Sequence, residues 1–152
     1  MTPALDRPAK DRAVRLAAPV LLLIALGVMF ACTWQASTDE LVDAGRELYL
    51  AWRISEGDVL YQDLYYEYGP LSPYLNGLVF KAFGPGIRTL LLWNLVLVGA
   101  VLALSYHVLS GLGGRLAAVL GGFSFLSLFA FRLFEEDVAL FNFLGPYSHT
   151  MT

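Results

Sequence analysis

The sequence predicts an all-α, polytopic integral membrane protein with about three transmembrane helices and amphipathic interfacial helices in its first extracytoplasmic loop. Three observations lead there. Hydrophobic residues are 57% of the 152-residue chain against 15% charged, with a mean hydropathy of +0.60, more apolar than a soluble domain of this size carries. Three uncharged runs, Leu16–Trp34 (19 residues), Thr89–Gly111 (23) and Leu116–Phe131 (16), compare with the ~20 residues that cross a bilayer as helix. Eight of the 13 acidic residues collect between Ser37 and Leu75, immediately after the first run.

Residues 1–15 form a basic tail in which Arg7, Lys10, Arg12 and Arg15 outnumber Asp6 and Asp11, so the positive-inside rule places it in the cytoplasm. Residues 16–34 are then transmembrane helix 1, an uncleaved anchor. A secretory signal is the competing reading, but the apolar run exceeds the ~7–15 residues of a signal h-region, and Phe30 stands where a lipoprotein-type cleavage site needs a small residue before Cys32. Cys32 is the single cysteine, which excludes an intramolecular disulfide and a thiolate metal cage.

Residues 35–88 become the extracytoplasmic loop. Ser37-Thr38-Asp39-Glu40 has the form of a capping box and Gly57 stands where a C-terminal glycine ends a helix, predicting a helix over about 38–55. Spacing puts Leu41, Ala44, Leu48 and Ala51 on one face and Asp43, Arg46, Glu47, Leu50 and Arg53 around another, the pattern of a helix lying at a membrane surface. Asp43, Arg46 and Glu47 within one turn either form a solvated ion-paired face or hold one carboxylate near a cation while another accepts a proton. Tyr61, Tyr65, Tyr66 and Tyr68 alternate with Asp63 and Glu67 up to Gly69-Pro70. Such rings suit an interfacial belt; interleaved with carboxylates, they also suit a sugar, whose apolar face stacks on rings while its hydroxyls donate to carboxylates. Pro70–Phe80 is too short and too polar for a confident span and reads as an interfacial or re-entrant helix rather than a crossing.

Beyond the loop, residues 89–111 are transmembrane helix 2, 112–115 a glycine-rich cytoplasmic turn carrying Arg115, 116–134 transmembrane helix 3, and 135–152 extracytoplasmic. Gly121-Gly122 allows close helix contact, and His107 reads as packed or bridging between helices. The chain shows no internal repeat, glycine-rich phosphate loop or nucleic-acid patch.

The order Asp43-x-Gly45-Arg46-Glu47-x-Tyr49, Glu56-Gly57-x-x-Leu60-Tyr61-x-Asp63, Tyr68-Gly69-Pro70-Leu71-x-Pro73-Tyr74, Phe80-Lys81-x-Phe83-Gly84 and Asn142-Phe143-x-x-Pro146-Tyr147-Ser148 resembles the start of the GT-C membrane glycosyltransferases, in particular the bacterial protein mannosyltransferase-like enzymes that include the lipid A aminoarabinose and lipopolysaccharide galacturonic acid transferases. The resemblance covers roughly residues 16–148. It implies transfer of a sugar from a polyprenyl-phosphate donor to an extracytoplasmic acceptor, a glycolipid, polysaccharide or protein, at the inner (plasma) membrane. It also implies a catalytic base at Asp43, with Asp39 or Glu40 as the alternative, and a second acidic position at Glu67. Relatives often carry Lys-Pro-Pro where this chain has Tyr68-Gly69-Pro70.

That chemistry needs a carboxylate to take the acceptor's proton and cations to steady the departing phosphate, for which Arg46, Arg53, Lys81 and Arg88 are available; Glu47, Asp63 and Glu67 complete the candidate substrate-binding set. A phosphate leaving group paired with arginine requires no metal, and no cofactor or metal site is expected. The resemblance further implies more spans and an acceptor-holding domain, so the chain reads as an N-terminal fragment inactive alone. The competing class is a small non-catalytic membrane scaffold or subunit whose acidic loop binds a partner.

Overall fold

The computed structural model of the protein describes residues 7–33 and 43–131, and the described residues are helical apart from turns and a single isolated bridge between Leu60 and Leu64. Helix α1 is Arg7–Thr33, α2 is Asp43–Glu56, α3 is Leu71–Phe83 and α4 is Ile87–Phe125, followed by a π-helical turn at Leu126–Ala130. The predicted capping box at 37–40 lies outside the described residues, as does the closing motif at 142–148. Within the helix expected over 38–55, the described part begins at Asp43 and ends one residue later than expected, at Glu56.

Among the described residues one helical run, Ile87–Ala130, is long and apolar enough to cross a membrane, and Ala17–Thr33 is a shorter apolar stretch. The run is not straight. Gly114 has φ 77° and ψ −177°, a left-handed break that glycine adopts without Cβ strain. The two arms fold back on each other: a Cβ on Gly121 would stand 2.4 Å from Leu109 Cδ1, and one on Gly122 3.2 Å from Leu102 Cδ1. A continuous helix would hold those partners roughly 18–30 Å apart.

Helix α1 completes a three-helix bundle. Gly122 is also within 2.8 Å, at its ideal Cβ, of Leu22 Cδ1, while Gly99 approaches Leu26, so α1 runs antiparallel to the first arm of α4. Leu22, Leu26, Leu91, Val98, Leu102, Leu126, Ala130 and Phe131 bury together along that seam. The bundle's outer surface stays apolar, with Leu23, Ile24, Val28, Val96, Leu104, Leu116 and Leu120 exposed. Cys32 is exposed on α1, and His107, expected to be packed or to bridge helices, is exposed on α4.

The segment 43–86 forms a separate block against the start of α4. Helix α2 ends in a Schellman-type cap: Gly57, at φ 113°, donates to Ile54 O at 3.1 Å and Asp58 N donates to Arg53 O at 3.1 Å. Helix α3 spans ~20 Å, short of a crossing, and lays Ser72, Pro73, Asn76, Gly77 and Phe80 inward. Its opposite edge, Leu71, Leu75, Leu78 and Phe83, is exposed. Phe80 buries with Ala51 of α2 and Leu90 of α4, joining the block to the bundle.

The α2–α3 contact depends on Gly77, where a Cβ would meet Ile54 Cγ2 at 2.6 Å and Ile54 Cβ at 3.1 Å. Because Ile54 is stiff at χ1, it yields little. Gly77→Ala is expected to destabilise the protein by about 1–3 kcal/mol, as overpacking does, and Ile54→Ala to shrink that penalty. Unfolding of the four variants of this cycle in detergent measures both effects.

Candidate functional site

Asp43 is the first described residue of α2. One turn on, Arg46 is half-buried, its guanidinium carbon 6.0 Å from the Tyr66 ring centroid and 5.6 Å from that of Tyr68. Those rings pack edge to face at 5.4 Å and 83°. Glu47 is 1% exposed, and its Oε1 accepts a hydrogen bond from Tyr66 Oη at 3.1 Å.

That burial corrects the sequence reading of α2. Glu47 was expected on the wet face with Leu50, and instead both are buried together with Ala51, while Tyr49 and Trp52 are exposed. The cause lies outside the helix. The segment 60–68 folds over α2 and seats Leu60, Leu64 and Tyr66 on Leu50, with Ile54 and Tyr68 packed alongside. Removing a carboxylate from water is costly, and the Tyr66 hydroxyl offsets part of that cost.

The segment alternates with period two. Leu64 and Tyr66 are buried and Tyr68 is half-buried, while Tyr65 and Glu67 point outward. The tyrosines therefore divide: Tyr66 and Tyr68 flank Arg46, and Tyr61 and Tyr65 face solvent. Tyr61 is the one non-glycine described residue at positive φ, 69°. Its N–H donates to Leu64 O at 2.8 Å and its hydroxyl donates to Tyr68 O, tying both ends of the turn together.

The remaining expected site residues fall into different surroundings. Arg53 engages Asp58 through Nε at 2.7 Å and a terminal nitrogen at 2.6 Å, closing the α2 cap. Asp63 Oδ2 accepts from Val59 N at 2.9 Å and shapes the turn. Glu67 is exposed and accepts from Tyr65 Oη at 3.3 Å. Lys81 is exposed in the last turn of α3, and Arg88 is exposed in the first turn of α4. Asp43 thus shares one turn of helix with Arg46 and Glu47, whereas Arg53 and Asp63 hold the loop's own geometry. Among the described residues no group of three or more His, Cys, Asp or Glu side chains is placed to hold a metal.

Two features had no counterpart in the sequence reading. An open groove of about 440 Å³ lies between α2 and the α3–α4 turn, lined by Leu48, Tyr49, Trp52, Phe80, Pro85, Gly86 and Ile87. Ser72 and Asn76, one turn apart on α3, are buried with Ser72 Oγ and Asn76 Oδ1 lacking hydrogen-bond partners.

Fold and site together define an all-α protein in which one helix carries Asp43, a tyrosine-flanked arginine and a buried glutamate. Comparison of the chain with protein-family models, with curated proteins and with solved structures finds no match.

Removing the Tyr66 hydroxyl deprives buried Glu47 of a donor, so Tyr66→Phe is expected to cost about 1–3 kcal/mol. Tyr65→Phe, at an exposed ring, stays within about 0.5 kcal/mol of wild type. Chemical unfolding in detergent distinguishes the two; equal effects would mean the buried bond contributes nothing.

Proposed function

We propose that this chain carries the first-loop catalytic unit of a GT-C-type membrane glycosyltransferase, which moves a sugar from a polyprenyl-phosphate donor to an extracytoplasmic acceptor. The observation that carries this reading lies on α2, where Arg46 stands between two tyrosine rings one turn after Asp43. Exposed apolar surface on α1, α4 and the outer edge of α3 supports a membrane setting. In that setting α1 and the two arms of α4 cross the bilayer, the 1–15 tail and the Gly114 turn lie in the cytoplasm, and 43–86 lies outside.

In the reaction, Asp43 takes the proton of the acceptor hydroxyl as its oxygen attacks the anomeric carbon. The bond from that carbon to the phosphate oxygen breaks, and the lipid phosphate leaves with the electron pair. Arg46, with exposed Lys81 and Arg88 as the other cations, steadies the phosphate charge. Tyr66 and Tyr68 flank the Arg46 side chain, so less rotamer freedom is lost when phosphate binds.

Asp43→Asn is expected to lower sugar transfer by about 10²-fold or more in membranes of cells expressing the gene, with unchanged membrane insertion. Unchanged transfer would favour the scaffold reading. Topology is tested separately with a Cys32→Ser background and single cysteines at exposed Gln62 and Leu112. A membrane-impermeant maleimide applied to intact cells should label position 62 and spare 112; the reverse pattern, or labelling of both, would contradict the proposed orientation.

A further inference from the structure

We propose that the open groove between α2 and the α3–α4 turn binds one anionic glycerophospholipid of the extracytoplasmic leaflet, with an acyl chain lying in the groove and the headgroup phosphate pairing with Lys81 and Arg88. The proposal rests on the membrane orientation given above and not on the transfer chemistry.

At about 440 Å³ the groove is within the roughly 300–1,000 Å³ of small-molecule sites, and its walls are apolar, with Leu48, Tyr49 and Trp52 from α2 and Phe80 and Ile87 from α3 and α4. Tyr49 and Trp52 stay exposed and meet edge to face at 6.3 Å and 71°. Amphipathic rings of this kind settle at headgroup level. Ile87 opens the helical run that is long and apolar enough to cross a membrane, so the groove lies where that run leaves the hydrocarbon. The exposed apolar edge of α3 ends at Phe83, between the lining residues Phe80 and Pro85, which makes the groove a continuation of lipid-facing surface.

Charge selects the headgroup. Lys81 follows the lining residue Phe80, Arg88 follows the lining residue Ile87, and both are exposed. No acidic residue occurs over 68–134, so α3, the turn and α4 bring only cations to this rim. On α2, the lining stretch from Leu48 to Trp52 is uncharged. Of the charged residues around that stretch, Glu47 is buried and bonded to Tyr66, Arg46 stands beside Tyr66 and Tyr68, and Arg53 is paired with Asp58. Asp43 and Glu56 occupy the two ends of the described helix. A lipid phosphate is therefore drawn to the α3–α4 rim, where two cations meet it. A donor phosphate reaching the same cations displaces the phospholipid.

Fluorescence quenching of the protein in nanodiscs tests this. Trp34→Phe with Trp93→Phe leaves Trp52, on the groove wall, as the one tryptophan. Brominated phosphatidylglycerol, diluted in phosphatidylcholine, is expected to quench Trp52 about fivefold more efficiently than brominated phosphatidylcholine at the same mole fraction. That excess should vanish when Lys81→Gln and Arg88→Gln are combined, and again in Gly86→Leu. Gly86 lines the groove in extended backbone, φ 165°, with nothing within 4 Å of an added Cβ, so leucine fills space there without strain. Circular dichroism checks that the variants remain folded. Equal quenching by the two lipids, or an excess that survives both variants, would mean general contact with the bilayer and would overturn the proposal. Protection of Trp52 from both lipids would overturn it too, by placing water or a protein segment in the groove. Sugar transfer and maleimide labelling are read separately, so failure of the transferase reading or of the orientation is told apart from failure here.

Discussion

The 43–86 block is organised around a buried hydrogen bond between Tyr66 and Glu47. The Glu47 carboxylate, at 1% exposure, accepts from Tyr66 Oη across 19 residues of sequence, and Tyr66 itself packs with Leu50, Leu60 and Leu64. The bond fixes the return of the chain over α2. From that return follow the inward position of Tyr68, the tyrosine pair flanking Arg46 and the outward position of Tyr65 and Glu67. Chemistry at the surface is thus set by a polar contact beneath it.

Around this contact, glycine sets how closely helices approach. Gly77 lets α3 lie against Ile54 of α2, and Gly122 lets Leu22 and Leu102 meet across the bundle. Phe80, Ala51 and Leu90 then tie the block to the first turns of α4. Close packing at small residues suits helices in lipid, where dispersion contacts and not burial from water hold helices together. The same packing fixes the helix that carries Arg46.

The all-α class was legible in the sequence because composition and uncharged runs report it directly. The end of α2 was legible at Gly57, whose φ of 113° and paired backbone bonds are what a glycine after an amphipathic helix implies. The wet and dry faces of α2 were not. Helical spacing alone grouped Glu47 and Leu50 with Asp43 and Arg53, since nothing within the helix says which neighbour will cover it. The covering residues lie at 60–68, and their signal is a period-two pattern, Leu64-x-Tyr66-x-Tyr68, inside a stretch also readable as an aromatic belt. Of the candidate site residues, Asp43, Arg46 and Glu47 were legible as a one-turn group. The structural engagement of Arg53 and Asp63 was hidden, because cap and turn contacts use the same charged residues as a binding site does.

Amide hydrogen exchange in Glu47→Ala, compared with wild type in the same detergent, tests the dependence of the block on its buried bond most directly. Faster exchange at the Tyr61 and Asp63 amides, with protection around Leu102 of α4 unchanged, is the expected result, because those amides are bonded within the turn that the bond anchors. Unaltered protection of the 57–69 turn would contradict it, and would mean that leucine packing on Leu50 orders the turn without Glu47.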